Sequence, residues 1–267
     1  MYFSSYFFIF ISKKRGVHGV NSILKTTPRF FYSKINFLLI FYFLVRIFTK
    51  APHIFSTAPF ITPCKAEDRK CLKTSAQNAV PVLAVGIPAL GLETLDPMHM
   101  ARIKANQAGL EMDFKNTLVK GLRNFKSFNR TLFDLKCSVT LIGDYKLGGR
   151  LLIMPIEGSG RYKIKIRDIL VKVVLDIGEK TINGDQYWTV TNWKHTYEVL
   201  TKAEFLFQNL FNGQKEFGEH FHAFANSNWK GIFQEVAPPI VKAIVKRIVD
   251  ELIKFFNKVP IKDLAIL

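Results

Sequence analysis

The first 58 residues contain no acidic side chain, against eight basic ones (Lys13, Lys14, Arg15, Lys25, Arg29, Lys34, Arg46, Lys50). Twelve of the 25 Phe residues also fall within the first 60 positions. This segment is compositionally foreign to the rest, and fold reasoning starts after it. It also lacks any run of the ~20 apolar residues that cross a bilayer. Residues 2–11 stop before Lys13-Lys14-Arg15, and residues 35–48 are interrupted by Arg46. The second run reads as the apolar region of a secretory signal, with Ser56-Thr57-Ala58 as a small-residue cleavage site. An uncleaved anchor and a transit peptide are the alternatives; the aromatic richness opposes the latter. Residues 1–33, ahead of Lys34, are more than a signal needs, and the expectation is that they are not part of the translated product. The expected organisation is a leader over 1–58 and one domain over 59–267, long enough for a sizeable core.

Cysteine is scarce, with three in the chain. Cys64 and Cys71 read as a local disulfide if the protein is secreted, contributing about 2–2.5 kcal/mol on a chain-entropy model. Two reduced thiols on one helix are the alternative. Cys137 has no partner in view and lies among apolar residues, as a buried small hydrophobe does.

Catalytic patterns are missing too. Gly158-Ser159-Gly160 reads as a turn rather than a nucleophile elbow, and no His and Asp stand in partner-like contexts. His220 and His222 are two apart on a helical stretch, so they share no face and make a poor metal pair; both are expected to be solvated. Gly143-Asp144 and Gly148-Gly149 read as strand turns, not a phosphate cradle. The net charge is +17, but outside the leader 30 basic residues face 21 acidic ones without a recognised nucleic-acid module. A solvated exterior is the expectation, with transient contact to a membrane surface left open. No enzyme, cofactor, metal or nucleic acid is indicated. The sequon Asn129-Arg130-Thr131 is a glycosylation candidate in a secreted protein.

What is present is periodicity. Residues 64–83 carry a weak helical stripe, and Gly86 to Leu92 form a Gly/Pro-punctuated connector. After Asp96-Pro97 the period becomes two. Leu110, Met112 and Phe114 alternate with charges, as do Phe133, Leu135, Cys137, Val139 and Leu141. Turns are expected at Gly143-Asp144, at Glu157-Gly158-Ser159-Gly160 and at Asn183-Gly184, the last a strong hairpin signal. In the strand beginning near Tyr162 the apolar parity shifts after Asp168, which predicts a β-bulge. From Phe217 to Asn257 the period is helical, with Ile240, Ile244, Ile248, Leu252 and Phe256 at spacing four and only a narrow polar strip (Lys242, Lys246, Arg247, Asp250, Glu251, Lys254). Pro238-Pro239 must break or kink it. A helix this apolar must be enclosed, and the remaining material is sheet. The expected fold is α+β: a highly curved antiparallel sheet wrapped around one long C-terminal helix.

Such an interior is either solid core or a lipid-sized space. The candidate lining residues are Phe133, Leu135, Leu151, Ile153, Ile164, Ile166, Phe205, Phe207, Phe221, Phe224, Trp229 and Ile240. Each buried methylene of a ligand contributes about 0.8 kcal/mol, so a dry interior binds lipids without polar contacts.

The ordered run Cys64…Cys71, Gly86-Ile87-Pro88…Leu90-Gly91…Leu95-Asp96-Pro97, Gly121-Leu122…Asn124-Phe125, Ile142-Gly143-Asp144-Tyr145, Gly149-Arg150, Pro155-Ile156-Glu157-Gly158-Ser159-Gly160, Asn209-Leu210-Phe211-Asn212-Gly213 and Asn226-Ser227-Asn228-Trp229 resembles the insect takeout and haemolymph juvenile-hormone-binding-like family over residues 60–267. The resemblance implies a secreted carrier with a hydrophobic ligand tunnel inside a curved sheet around one long helix. The hormone-binding branch has a second cysteine pair that is absent here, so the takeout-like branch fits better. The N-terminal extension is longer than the family's usual signal. The expected function is an extracellular monomeric carrier of a terpenoid, fatty acid or similar lipid. The alternative is a solid-cored secreted protein acting through its basic surface on a membrane or receptor.

Overall fold

The computed structural model describes residues 56–123 and 132–266. In chain order the elements are β1 (Cys64–Lys65), α1 (Arg69–Val85), β2 (Met98–Gln107), β3 (Leu110–Lys120), β4 (Leu132–Leu151), β5 (Met154–Ile182), β6 (Asp185–Phe207), α2 (Lys215–Ser227), α3 (Trp229–Val236), α4 (Pro238–Phe256) and β7 (Ala265–Ile266). Strands β2 to β6 form one antiparallel sheet in sequence order, while β1 pairs in parallel with β7.

The 29 residues of β5 would extend ~95 Å if straight at ~3.3 Å each. A domain of about 210 residues has a radius of gyration near 17 Å. The strand must therefore coil, and bulges supply the bends. Register shifts fall between Lys115 and Leu118, between Cys137 and Val139, between Arg167 and Ile169, and between Asp176 and Ile177. The Asp168 bulge is the one that the parity shift predicts. Asp168 adopts φ 48° and is held by Ser138 Oγ, which accepts from its N–H at 3.1 Å, and by Thr201 Oγ1, which donates to its carboxylate at 2.8 Å.

Three expected turns are not turns. β4 runs unbroken through Gly143-Asp144 and through Gly148-Gly149, and β5 through Glu157 to Gly160. Gly143 and Gly158 serve close approach instead. A Cβ on Gly143 would lie 2.7 Å from the Lys115 carbonyl oxygen, and one on Gly158 would lie 3.0 Å from Leu210 Cα, where the two chains bridge. The real reversal is at Leu152-Ile153, with Leu152 at φ 56° and no turn-type residue to announce it. Asn183-Gly184 turns as its sequence predicts, at φ 52° and 88°. Strand β2 gives a weak pattern because it is an edge strand in which only Met98 and Ile103 are buried.

The C-terminal helical stretch is three consecutive segments broken at Asn228 and Ala237. Asn228 has φ −105°, and its side-chain amide donates to the Phe224 carbonyl at 3.0 Å. Pro238 and Pro239 occupy the first turn of α4, where a missing N–H is harmless. They start a helix rather than kink one. α4 packs against both edge strands, β6 and β2, so it closes the curled sheet.

The free edge of β6 is covered by side chains of α2. Asn226 accepts from the Phe205 N–H at 2.7 Å and donates to the Phe205 carbonyl at 3.2 Å, while His222 Nε2 accepts from the Phe207 N–H at 2.9 Å. His222 is therefore not a solvated histidine but part of the seam that keeps an edge strand from pairing elsewhere.

The Cys64–Cys71 disulfide is formed and ties β1 to the first turn of α1. Two thiols on one helix is thereby excluded, since Cys64 precedes the helix. Asp68 caps α1 by accepting from the Cys71 N–H at 2.9 Å. Upstream, Ala58 is fully buried and the Thr57 N–H and hydroxyl donate to Asp263 at 2.8 and 2.7 Å.

Candidate ligand cavities

Two apolar cavities lie along α4 between the helices and the curled sheet. The larger, of ≈ 180 Å³, is lined by seventeen residues, of which Glu251 alone is polar. Small side chains on one face of α1 make the room: Ala76, Ala79, Val80 and Ala84 face Ile248, Val249, Leu252, Phe255 and Phe256 of α4. The connector supplies Leu92 and Leu95, and the sheet supplies Leu135 and Val173. The second cavity, of ≈ 60 Å³, has an entirely apolar lining. It sits one turn earlier on α4, at Ile240, Val241 and Ile244. A single water needs only ~10–15 Å³ but also two or more polar partners, which neither apolar wall offers. Both spaces suit hydrocarbon.

The candidate lining residues divide between these places. Leu151, Ile164, Ile166, Phe205, Phe207, Phe221 and Ile240 come together around the smaller cavity. Leu135 lines the larger one. Phe224 and Trp229 are half-buried against the core and border neither cavity. Ile153 is a correction: it is 91% exposed at the tip of the β4–β5 reversal, so its side chain meets solvent. Strand parity points it inward, but that parity ends where the chain turns. Phe133 lies on β4, but its side chain is outside the described residues, as is the sequon at Asn129.

The α1 lining and Glu251 have no counterpart in the expected set. The weak stripe on residues 64–83 carried the first. The second is visible in spacing: Ile244, Ile248, Glu251 and Phe255 follow i, i+4, i+7, i+11, so Glu251 occupies an apolar-face position.

Glu251 is 3% exposed and is held by two hydrogen bonds and an ion pair. The Glu93 N–H donates to Oε2 at 2.9 Å, Lys254 Nζ donates to Oε1 at 2.9 Å, and Arg247 Nη1 pairs with Oε1 at 3.1 Å. Arg247 and Lys254 also reach the exposed Glu93 carboxylate. The hydrogen bond from Arg247, then its charge and the contact with Lys254, hold the Glu93 carboxyl below the usual range. Its hydrogen bond to Glu251 raises the Lys254 ammonium in turn. Two cations and two anions thus fasten α4 to the connector at the cavity wall.

Among the described residues the other buried polar groups are neutral. Burial pushes the Tyr145 and Tyr162 hydroxyls up to about 12. Tyr145 donates to the Gln208 carbonyl at 2.7 Å, and Tyr162 shares a 2.7 Å hydrogen bond with Thr117. Burial likewise takes Cys137 to about 12, so it is an inert thiol in the core. Among the described residues no group of three or more His, Cys, Asp or Glu side chains is placed to hold a metal.

Comparison with known proteins agrees with this geometry. The model of the haemolymph juvenile hormone binding protein family matches residues 42–266. The chain belongs to this family. Its members bind hydrophobic ligands. The family's curled sheet is seen in the crystal structure of Epiphyas postvittana Takeout 1, which is similar at TM-score 0.73 and 30% identity over 78% of this chain and all of that one. The circadian clock-controlled protein daywake of Drosophila melanogaster is 27% identical over 209 residues, covering 68% of this chain and 78% of that protein. Its Drosophila yakuba counterpart is 25% identical over 205 residues.

Proposed function

We propose that the protein is a secreted, monomeric carrier that takes a small hydrophobic molecule, a terpenoid, fatty acid or similar lipid, into the cavities along α4 without chemical conversion. The supporting observation is the ≈ 180 Å³ cavity with one polar group in its lining. A core selected only for stability leaves few voids larger than a water molecule. An apolar void of this size costs the folded state stability that a bound chain returns. The Cys64–Cys71 disulfide suits an oxidising compartment, in keeping with passage through the secretory route.

The test is native mass spectrometry of protein secreted from insect cells carrying the full coding sequence, followed by organic extraction of anything bound. A stoichiometric lipid adduct is expected. A clean apo mass that persists after incubation with long-chain lipids and terpenoids overturns the carrier reading.

A further inference from the structure

We infer that the cavity beside Glu251 selects ligands that end in a hydroxyl: apolar chains or ring systems with an alcohol head group, in preference to esters and acids. This rests on the carrier reading above and adds the chemical class of the cargo. Glu251 is the one polar residue lining the larger cavity, and its carboxylate is an acceptor on both oxygens. A carboxylate offers about four lone-pair directions. Two take hydrogen bonds, from the Glu93 N–H at Oε2 and from Lys254 at Oε1, and Arg247 adds an ion pair to Oε1 at 3.1 Å. Among the described residues Oε2 takes a single donor, so it keeps acceptor capacity for a ligand.

What fills an open acceptor in an apolar wall is a hydrogen-bond donor. A hydroxyl provides one, an ester provides only further acceptors, and an ionised acid brings a second negative charge against the first. The cations do not rescue the acid. Arg247 and Lys254 are shared between Glu251 and Glu93, so the four groups sum to zero and no positive charge is left over for a ligand. An amine head group would donate as well, but would carry a net charge into an apolar space. A neutral alcohol satisfies the site without either cost.

The test is a competition. Full-length protein secreted from insect cells is stripped of lipid and incubated with equimolar dodecan-1-ol, methyl dodecanoate and dodecanoic acid at pH 7. The bound fraction is then extracted and quantified by gas chromatography. The alcohol is expected to exceed the ester by about tenfold, the usual worth of one hydrogen bond to a charged acceptor. Equal uptake of alcohol and ester overturns the head-group assignment and leaves the carrier intact, and preferential uptake of the acid does the same. No uptake of any of the three counts against the carrier reading itself. In Glu251→Gln the new amide can donate to an ester carbonyl, so the alcohol-to-ester ratio is expected to fall toward one. An unchanged ratio in a folded E251Q, checked by circular dichroism, overturns the role of this residue. Should E251Q fail to fold, the wild-type ratio alone decides.

Discussion

Removing the ring of Phe255, which is 2% exposed and borders the larger cavity, should cost about 3–5 kcal/mol as Phe255→Ala, because the deletion enlarges a space that cannot collapse. Ile153→Ser, at an exposed reversal, should stay within about 0.5 kcal/mol of wild type in urea unfolding. These two residues separate what periodicity reveals from what it does not. Phe255 belongs to a helical face whose spacing marks it as buried, whereas Ile153 takes its parity from a strand that ends two residues earlier, at Leu151. The opposite manipulation addresses function. Ala79→Leu places three more carbons in the larger cavity, displacing ligand carbons worth about 0.8 kcal/mol per methylene. Ligand affinity should fall by about tenfold or more, while stability is retained or rises by up to about 1–2 kcal/mol, as cavity filling usually allows. A matched loss of stability and binding would mean that the site is packed core.

At the scale of elements, the seam between α2 and the edge of β6 is pH-sensitive. Burial lowers the His222 imidazole from its ordinary value, and its Nε2 must be unprotonated to accept from Phe207. A depressed folded-state value means that the neutral form stabilises the fold above about pH 6.5 and that this contribution is lost as pH falls below it. His195 shares the direction, through burial and then the Lys242 charge. The urea midpoint should therefore drop between pH 7 and 5.5, and drop less in His222→Gln, which keeps an acceptor that does not titrate. An equal drop in both proteins would remove His222 from the account. Neither the seam nor the run of β4 through Gly143 was legible beforehand, and for one reason. A histidine's partner and a glycine's neighbour lie on other elements, so the local string cannot separate a solvated imidazole from an edge cap, or a turn from a close crossing. The bulge at Asp168, the Asn183-Gly184 hairpin and the helical face of α4 were legible because each is written in consecutive residues.

The same scale bears on processing. Thr57 is bonded to Asp263 and Ala58 is fully buried, so these two residues pack against the folded domain. Cleavage after Ala58 would leave Asp263 without its two donors and open a hole beside the core. If the leader is cleaved as proposed, the mature protein should begin at or before Ser56, and amino-terminal sequencing distinguishes this from a start at Pro59.

For the molecule as a whole, the proposed carrier function couples ligand binding to stability. The sheet closed by α4 against both of its edges leaves two apolar spaces beside that helix, and a hydrocarbon that filled them would stabilise the folded state. A ligand that binds only the folded state adds about 2.7 kcal/mol when present at a hundred times its dissociation constant. For a domain of about 210 residues each kcal/mol moves the melting temperature by about 2–4 °C. Protein stripped of lipid should therefore melt about 5–10 °C below protein resupplied with its cargo at that excess. The shift should grow with the logarithm of ligand concentration, and Ala79→Leu should abolish most of it. The basic exterior makes a different demand: binding of anionic vesicles would weaken steeply with salt, whereas entry of a neutral alcohol into an apolar cavity would not. Scanning calorimetry with and without ligand at 50 and 500 mM salt reads both. A ligand-dependent shift that survives high salt places the function in the interior, and a response only to vesicles at low salt places it on the surface.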